Sequence, residues 1–269
     1  MKMEIKVEKV SFQYEDVKIL DSITFNAGPG QIIGIIGPNG SGKTTLLRCI
    51  AGILKVDQGS IHINDKEITQ YKRKELARIL SVVPQISSFT AGFTVFETVL
   101  MGRYPHLGVY QRESETDYQI VNSALERVGI THLVNRDVSE LSGGEKQLVT
   151  IALGLAQDPK ILCLDEPTLH LDINMQYKIM ELCKEVCHTK QIGVILVLHD
   201  LALAAQYCDS LIILKNGQIR VLGSPDDVIN VESILDAYGV KVIVGRDAST
   251  GLKYIIPDLQ SEAESRSVN

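Results

Sequence analysis

Apolar and polar positions follow two alternating periods along this chain. Glu4–Phe12 (EIKVEKVSF) and Ile19–Ala27 (ILDSITFNA) alternate at period two and predict an opening antiparallel pair of strands. QIIGIIG, from Gln31, is a short apolar run broken by glycine, and KTTLLRCIAGIL, from Lys43, then takes up helical spacing that ends near Gly52 and Leu54. GSIHIN and ILSVVPQ supply further strands, with YKRKELAR between them as a polar helical piece. From about residue 94 to 157 the strand pattern disappears, and Ile120, Val121, Ala124, Leu125 and Val128 share one helical face. The alternation resumes with the buried-type strand KILCLDEP, the helix INMQYKIMELCKEVC, the strand IGVILVLHD and the short helix LALAAQYC. SLIILKNGQIRVLG reads as a hairpin turning at Asn216-Gly217. After Pro225 a helical turn or two precedes another hairpin within GVKVIVGRDASTGLKYIIPDL, and a polar tail over 259–269 is expected to be disordered. The pattern predicts one α/β domain over 1–258, with a helical subdomain inserted at approximately 86–160.

Composition narrows the function. The chain has 269 residues, 45% of them hydrophobic, and a mean hydropathy of +0.08, enough to bury a sizeable core. Its net charge is −6 and its pI about 5.6, so it lacks the broad basic surface that neutralises nucleic-acid phosphates. No apolar run reaches the roughly 18 residues of a membrane span, and the strand-like N-terminus lacks the apolar core of a signal peptide. The expectation is a cytosolic protein that reaches a membrane only through a partner. Five scattered cysteines, never spaced as CxxC, fit reduced thiols. Cys183 and Cys187, one helical turn apart beside His188, are conceivable as a metal pair, but two thiols on a helical face usually pack.

Gly37-Pro38-Asn39-Gly40-Ser41-Gly42-Lys43-Thr44 matches GxxxxGK[ST] between a predicted strand and a predicted helix, and Thr45 follows it. Glycines there let backbone N–H groups close around phosphate oxygens, Lys43 reaches the β- and γ-phosphates, and the Thr44 hydroxyl ligates Mg²⁺. ILCLDEPT ends a buried strand in adjacent carboxylates. Asp165 is placed to hold Mg²⁺ opposite Thr44, and Glu166 to polarise a water attacking the γ-phosphate. His199, ending VILVL, is either a structural strand-end histidine or a hydrogen-bond partner of the γ-phosphate. Asp200 after it suits a helix cap.

A second glycine-rich stretch, LSGGEKQ at 141–147, admits two readings. Ser142-Gly143-Gly144-Glu145 satisfies S-x-x-E, a capping box for the helix that follows. Capping does not explain the glycines, each of which costs a helix start about 0.5–1 kcal/mol relative to alanine unless a backbone must approach something closely. A serine hydroxyl and bare N–H groups at a helix N-terminus also form an anion site.

GPNGSGKTT, VVPQ, LSGGEKQ, ILCLDEPT and VLHD occur in the order and approximate spacing of the ABC (ATP-binding cassette) ATPases, which the chain resembles over roughly residues 3–225. The resemblance implies a P-loop α/β core with an antiparallel β subdomain and an inserted helical subdomain. It also implies ATP and Mg²⁺ as ligands and a head-to-tail homodimer. In that dimer Ser142, Gly143, Gly144 and Glu145 of one protomer close in trans over ATP held by the other, and Asp172 lies in the loop crossing the interface. By the same resemblance Tyr14 stacks on adenine, Gln85 contacts Mg²⁺ and senses a membrane partner, Glu166 is the catalytic base and His199 the switch histidine.

GRYPH, within FTVFETVLMGRYPHLG, resembles the ATPase subunits of importers for iron–siderophore, haem and cobalamin, with molybdate relatives. That implies two integral-membrane permease subunits, an extracytoplasmic binding protein reached indirectly, and a place on the cytoplasmic face of the membrane. Arg103, Pro105 and His106 would then belong to the permease groove; without the resemblance they read as a solvated loop between helices. Two departures stand out. The loop before Asp172 reads Leu169-His170-Leu171, and IALGLAQ lacks the arginine of the more usual ARAL. The rival is a soluble cassette ATPase of iron–sulfur cluster assembly; a DNA-maintenance cassette is disfavoured by the acidic pI and the absence of a long coiled coil.

Overall fold

Strands fall into separate sheets according to whether one face or both are covered. The computed structural model describes residues 3–85, 89 and 91–258; the expected tail at 259–269 lies outside them. β1 (Ile5–Tyr14) and β2 (Val17–Ala27) pair antiparallel, with Ile5 opposite Ala27 and Tyr14 opposite Val17. β3 (Ile32–Ile36) follows and leads through a glycine-rich turn into α1 (Lys43–Ile50). The chain then returns to β1 with β4 (Gln58–Ile63) and the short β5 (Lys66–Glu67), completing the sheet β2-β1-β4-β5. This sheet buries one face, so Ile5, Val7 and Val10 point inward while Glu8 and Lys9 stay exposed.

After α2 (Arg73–Ala77) comes β6 (Leu80–Val83). The chain is then helical through α3 (Val95–Leu100), α4 (Glu115–Val128) and α5 (Gly143–Ala156), until β7 (Ile161–Asp165). α6 (Ile173–Lys190), β8 (Gly193–Val197), α7 (Leu201–Tyr207), β9 (Ser210–Lys215) and β10 (Gln218–Gly223) follow. The second sheet has the order β10-β9-β3-β8-β7-β6, parallel except for β10 at its edge. Every residue of β3, β7 and β8 is buried, which is why these strands read as continuous apolar runs.

Their period-two geometry divides them between two cores. Ile33, Ile35, Cys163, Ile195 and Val197 face α1 and the first sheet, whereas Ile32, Ile36, Leu162, Leu164, Val194 and Leu196 face α5, α6 and α7. Each fully buried Ile or Leu contributes on the order of 1.5–3 kcal/mol.

The β9–β10 turn is at Asn216-Gly217, both with positive φ (50° and 74°), and it packs tightly below the first sheet. A Cβ at Gly217 would lie 2.2 Å from the Ile19 carbonyl oxygen. The chain ends, within the described residues, in α8 (Pro225–Val228), α9 (Val231–Tyr238) and the hairpin β11 (Val242–Arg246) with β12 (Lys253–Pro257). No described helix is long and apolar enough to cross a membrane.

Candidate nucleotide-binding site

The second sheet's strand order dictates the site. Running β3, β8, β7, β6, the carboxyl ends of four adjacent parallel strands deliver in turn the Gly37–Thr44 loop, His199, Asp165 with Glu166, and Gln85. Four stretches far apart in sequence are thereby set along one edge.

The loop after β3 is held by close backbone approaches that only glycine allows. A Cβ at Gly37 would lie 2.0 Å from the Leu214 carbonyl oxygen, and Gly42 sits at φ +101° with the Ile19 carbonyl oxygen 3.0 Å from its Cβ position. Gly42 is also the N-cap of α1 and offers no capping side chain, so the helix's first N–H groups are left for an outside acceptor. Lys43 is only 5% exposed, and its ammonium donates to the carbonyls of Gly37 (2.9 Å) and Pro38 (3.0 Å). Burial holds its pKa below the ordinary lysine value, while the carboxylates of Glu166 and Asp165 pull the other way. The Ser41 hydroxyl is buried without a hydrogen-bond partner among the described residues. Asn39, Gly40, Gly42, Thr44, Thr45 and Glu166, with Ser41, Lys43 and Ile19, line a cavity of about 340 Å³. Tyr14 lies outside that lining; it is 44% exposed and stands edge-on to Phe12, with ring centroids 4.8 Å apart.

The acidic side is as closely specified. Thr44 Oγ1 donates to Asp165 Oδ1 at 2.9 Å. Asp165 is buried, and burial, followed by the neighbouring Glu166 charge, holds its pKa above the usual carboxylate range against the Thr44 hydrogen bond. Glu166 takes a left-handed φ of 51°, and its N–H donates to the Val197 carbonyl on the adjacent strand. Its carboxylate is gripped from both sides, accepting from Gln85 Nε2 at 2.6 Å and lying 2.5 Å from His199 Nε2. Strain at a non-glycine residue whose side chain is held by two other strand ends is the kind concentrated at functional sites. Asp200 caps α7 by accepting from the N–H groups of Ala202 and Leu203. The oxygen donors available here, the Thr44 hydroxyl, the Asp165 carboxylate and the Gln85 amide oxygen, are the hard ligands that suit Mg²⁺.

The second glycine stretch stands apart. None of Ser142, Gly143, Gly144 and Glu145 lines the cavity of the first loop. Ser142 and Glu145 form the full capping box of α5: the Glu145 carboxylate accepts from the Ser142 N–H (2.8 Å) and hydroxyl (2.7 Å). Gly144 packs near Met175, whose Cε lies 3.3 Å from its Cβ position. Among the described residues nothing lies within 4 Å of the Gly143 Cβ position, so none of their contacts requires a glycine there. Asp172 is exposed and caps α6, its carboxylate accepting from the Met175 N–H at 2.9 Å.

A family model described as ABC transporter matches residues 20–169, more than half of the chain. The chain belongs to the ABC transporter family. It is an ATP-hydrolysing cassette of that family. It is 39% identical over 246 residues to a hemin import ATP-binding protein, HmuV, of Gloeobacter violaceus, covering 89% of this chain and 88% of the relative. A cobalamin import ATP-binding protein, BtuD, of Halobacterium salinarum is 35% identical over 269 residues, 99% of this chain but 67% of the longer archaeal protein. Among solved structures, a chain of an inward-facing ABC transporter described as of metal-chelate type superposes with a TM-score of 0.85 at 25% identity, covering 97% of this cassette and 100% of that chain.

GRYPH in this cassette is not a solvated loop, and its Arg103 is not a free groove side chain, whereas Tyr104 is 57% exposed. Met101–His106 is a 3-10 helix, and Gly102 sits so close to α5 that a Cβ would lie 2.5 Å from the Leu153 carbonyl oxygen. Arg103 is 5% exposed, paired with Asp117 at 2.8 Å and donating to the Ala156 carbonyl at 2.8 Å. His106 Nε2 lies 2.9 Å from the Gln157 carbonyl oxygen, and Arg78 donates to the Pro105 carbonyl. The motif therefore pins α4 and α5 to the α2–β6 region. Buried Arg–Asp pairing over 14 residues is invisible in sequence, because nothing in either residue's spacing distinguishes it from surface charge. Gln176 was likewise not foreseen: it donates to the carbonyls of Thr168 and Leu171 and so fixes the loop between Glu166 and Asp172.

Burial of Asp165 yields a pH prediction. A pKa higher in the folded than in the unfolded chain means that this group's stabilising contribution is complete below the unfolded value and lost as pH rises through the folded one. Asp165→Asn keeps an acceptor for Thr44 and removes the buried charge. It should raise the nucleotide-free melting temperature near neutral pH by about 2–4 °C, with the gap closing as pH falls into the ordinary carboxylate range. Scanning fluorimetry across that range checks this; a gap that does not change with pH would contradict it.

Proposed function

We propose that this cassette is the ATP-binding and ATP-hydrolysing subunit of an importer for a metal chelate or corrinoid, drawn from iron–siderophore, haem or cobalamin, with molybdate a further member of the class. Separate integral-membrane permease subunits would carry the substrate, with an extracytoplasmic binding protein upstream and the cassette on the cytoplasmic face. The observation that carries the enzymatic part is the Glu166 carboxylate, gripped by Gln85 and His199 at the wall of the P-loop cavity. The importer part is supported by the similarity to hemin and cobalamin import ATP-binding proteins.

Residues Gly37 to Thr45 hold the phosphates of ATP, through backbone N–H groups, the start of α1 and Lys43. On phosphate binding Lys43 exchanges its two carbonyl partners for phosphate oxygens, which suits a buried ammonium better than neutral acceptors. Thr44, Asp165 and Gln85 would hold Mg²⁺, which when bound supplies charge neutralisation on the phosphate oxygens. Glu166 accepts a proton from the attacking water, and His199 and Gln85 fix its orientation. Tyr14, exposed at the end of β1, is left to stack on adenine.

One chain supplies only part of this site. Gly143 opens at the start of α5 with no neighbour at its Cβ position among the described residues, and residues 142–145 do not line the P-loop cavity. In a head-to-tail homodimer Ser142, Gly143, Gly144 and Glu145 would cover ATP on the partner, with Asp172 at the same interface. The Ser142–Glu145 capping box is compatible with this, since it leaves the N–H groups of Gly143 and Gly144 without side-chain acceptors. For the permease, an open apolar cavity of about 370 Å³ beside α2, walled by Ile53, Leu76, Leu80 and Val82, offers a seat that the buried Arg103 does not.

Glu166→Gln should retain ATP binding and accumulate as an ATP-bound dimer in size-exclusion chromatography while turnover falls roughly 10³-fold; wild-type rates would remove Glu166 as the base. Gly143→Leu is cleaner than a change at Gly144, which would press on Met175. It should leave monomer stability and monomer ATP affinity intact, yet abolish the ATP-induced dimer and lower hydrolysis about 100-fold. Survival of hydrolysis would restore the plain capping-box reading of LSGGE. To separate an importer subunit from a soluble cassette, tagged protein purified from detergent-solubilised membranes should bring down two hydrophobic subunits; recovery of the cassette alone from the soluble fraction would favour the rival.

A further inference from the structure

A phosphate loop shows its N–H groups to a ligand only if the carbonyls of the same peptides turn outward and find donors there. In this loop Lys43 serves the carbonyls of Gly37 (2.9 Å) and Pro38 (3.0 Å), and Pro38 also accepts from the Ser41 N–H at 3.2 Å. The Ser41 carbonyl is served differently. It accepts at 3.1 Å from the N–H of Gly217, in the turn between β9 and β10.

Gly217 is held for that contact from its other side by β2. Its carbonyl accepts from the Asp21 N–H at 2.8 Å, and its Cβ position lies 2.2 Å from the Ile19 carbonyl oxygen. The same oxygen lies 3.0 Å from the Cβ position of Gly42, so P-loop, turn and β2 meet at one point. Gln218, the first residue of β10, donates from Nε2 to Asp21 Oδ2 at 2.8 Å and braces the turn to a strand of the other sheet. With φ at +74° and backbone this close, any side chain at 217 would displace the turn.

The two kinds of donor part company when phosphate arrives. Lys43 leaves its carbonyls for phosphate oxygens, whereas Gly217 does not line the cavity and keeps its acceptor. The Ser41 carbonyl and the Gly42 N–H belong to one planar trans peptide, so drawing the carbonyl to the turn points that N–H the opposite way. Ser41 and Gly42 both line the phosphate cavity. We propose that Gly217 is a positioning residue for ATP binding: its N–H fixes the Ser41–Gly42 peptide with the Gly42 N–H toward the phosphates, in the empty loop and in the occupied one alike. This rests on the P-loop being the ATP site, which calorimetry of the wild type and Lys43→Ala with ATP tests separately; equal binding by those two would count against the site and not against the turn.

Gly217→Ala adds a methyl that the Ile19 carbonyl excludes and so moves the turn off Ser41. Measured well below its melting temperature, its ATP dissociation constant should rise about 5–10-fold. KM for ATP should rise in parallel while kcat stays within about twofold of wild type, because Glu166, Gln85 and His199 are delivered by other strands. Ile219→Ala, which trims a side chain of β10 packed against the core under the first sheet, is the stability control: it should lower the melting temperature and leave ATP affinity unchanged. Gln218→Leu cuts the brace to Asp21 without a backbone clash and decides the matter if Gly217→Ala does not fold; its dissociation constant should rise about twofold. Unchanged ATP affinity in folded Gly217→Ala, or in Gln218→Leu where Gly217→Ala does not fold, overturns the proposal. So does an equal loss of affinity in Ile219→Ala, since affinity would then merely follow stability.

Discussion

Burial of both faces of β3, β8 and β7 is the constraint on which the rest of this structure depends. A parallel strand covered on both sides cannot carry charge along its length, so polar chemistry is driven to the strand ends. The strand order brings those ends side by side and aligns the phosphate loop, His199, the two carboxylates and Gln85 along one edge. Alternate residues of the same strands feed two cores, which fixes their register: a slip of one residue would exchange Ile33 and Ile35 with Ile32 and Ile36. The precision of the site is therefore inherited from apolar packing.

Electrostatics at that edge is poised toward a ligand. Lys43 is a buried cation whose hydrogen-bond partners are two neutral carbonyls, and Asp165 is a buried acid whose partner is a hydroxyl. Their pKa directions agree on one cause, because burial moves both toward neutrality. Polyphosphate and a divalent cation would reverse both penalties together, an anion beside Lys43 and a cation beside Asp165. Glu166 differs from its neighbour in having two side-chain partners on separate strands, so its direction is set before any ligand arrives.

Much of this was legible in the chain. Continuous apolar runs marked β3, β7 and β8, and Asn216-Gly217 marked the β9–β10 turn because both positions need positive φ. The Thr44–Asp165 contact followed from the P-loop and a strand ending in acid, since parallel strands of one sheet present their carboxyl ends together. What sequence left hidden depends on contacts between distant elements. GRYPH offered only loop-forming residues, and no local rule says that Arg103 turns inward to Asp117 and the end of α5. Helical spacing also missed the 3-10 turn there, whose shape is imposed by the Leu153 carbonyl over Gly102. Gln176 sits in an ordinary helix, and only the fold turns it toward the loop between Glu166 and Asp172.

LSGGE shows why a local explanation can be true and incomplete. The capping box is present in full, and it accounts for Ser142 and Glu145 within one chain. It makes no use of Gly143, where a side chain would meet none of the described residues and would favour the helix by about 0.5–1 kcal/mol. A glycine that costs stability and relieves no internal clash leaves room for something outside the chain. The P-loop glycines are the opposite case, because Gly37 and Gly42 are demanded by the carbonyls of Leu214 and Ile19. Of the LSGGE pair, Gly144 is already close to Met175 and only Gly143 finds no reason within the described residues of the protomer, which is the asymmetry that the proposed site shared by two copies would produce.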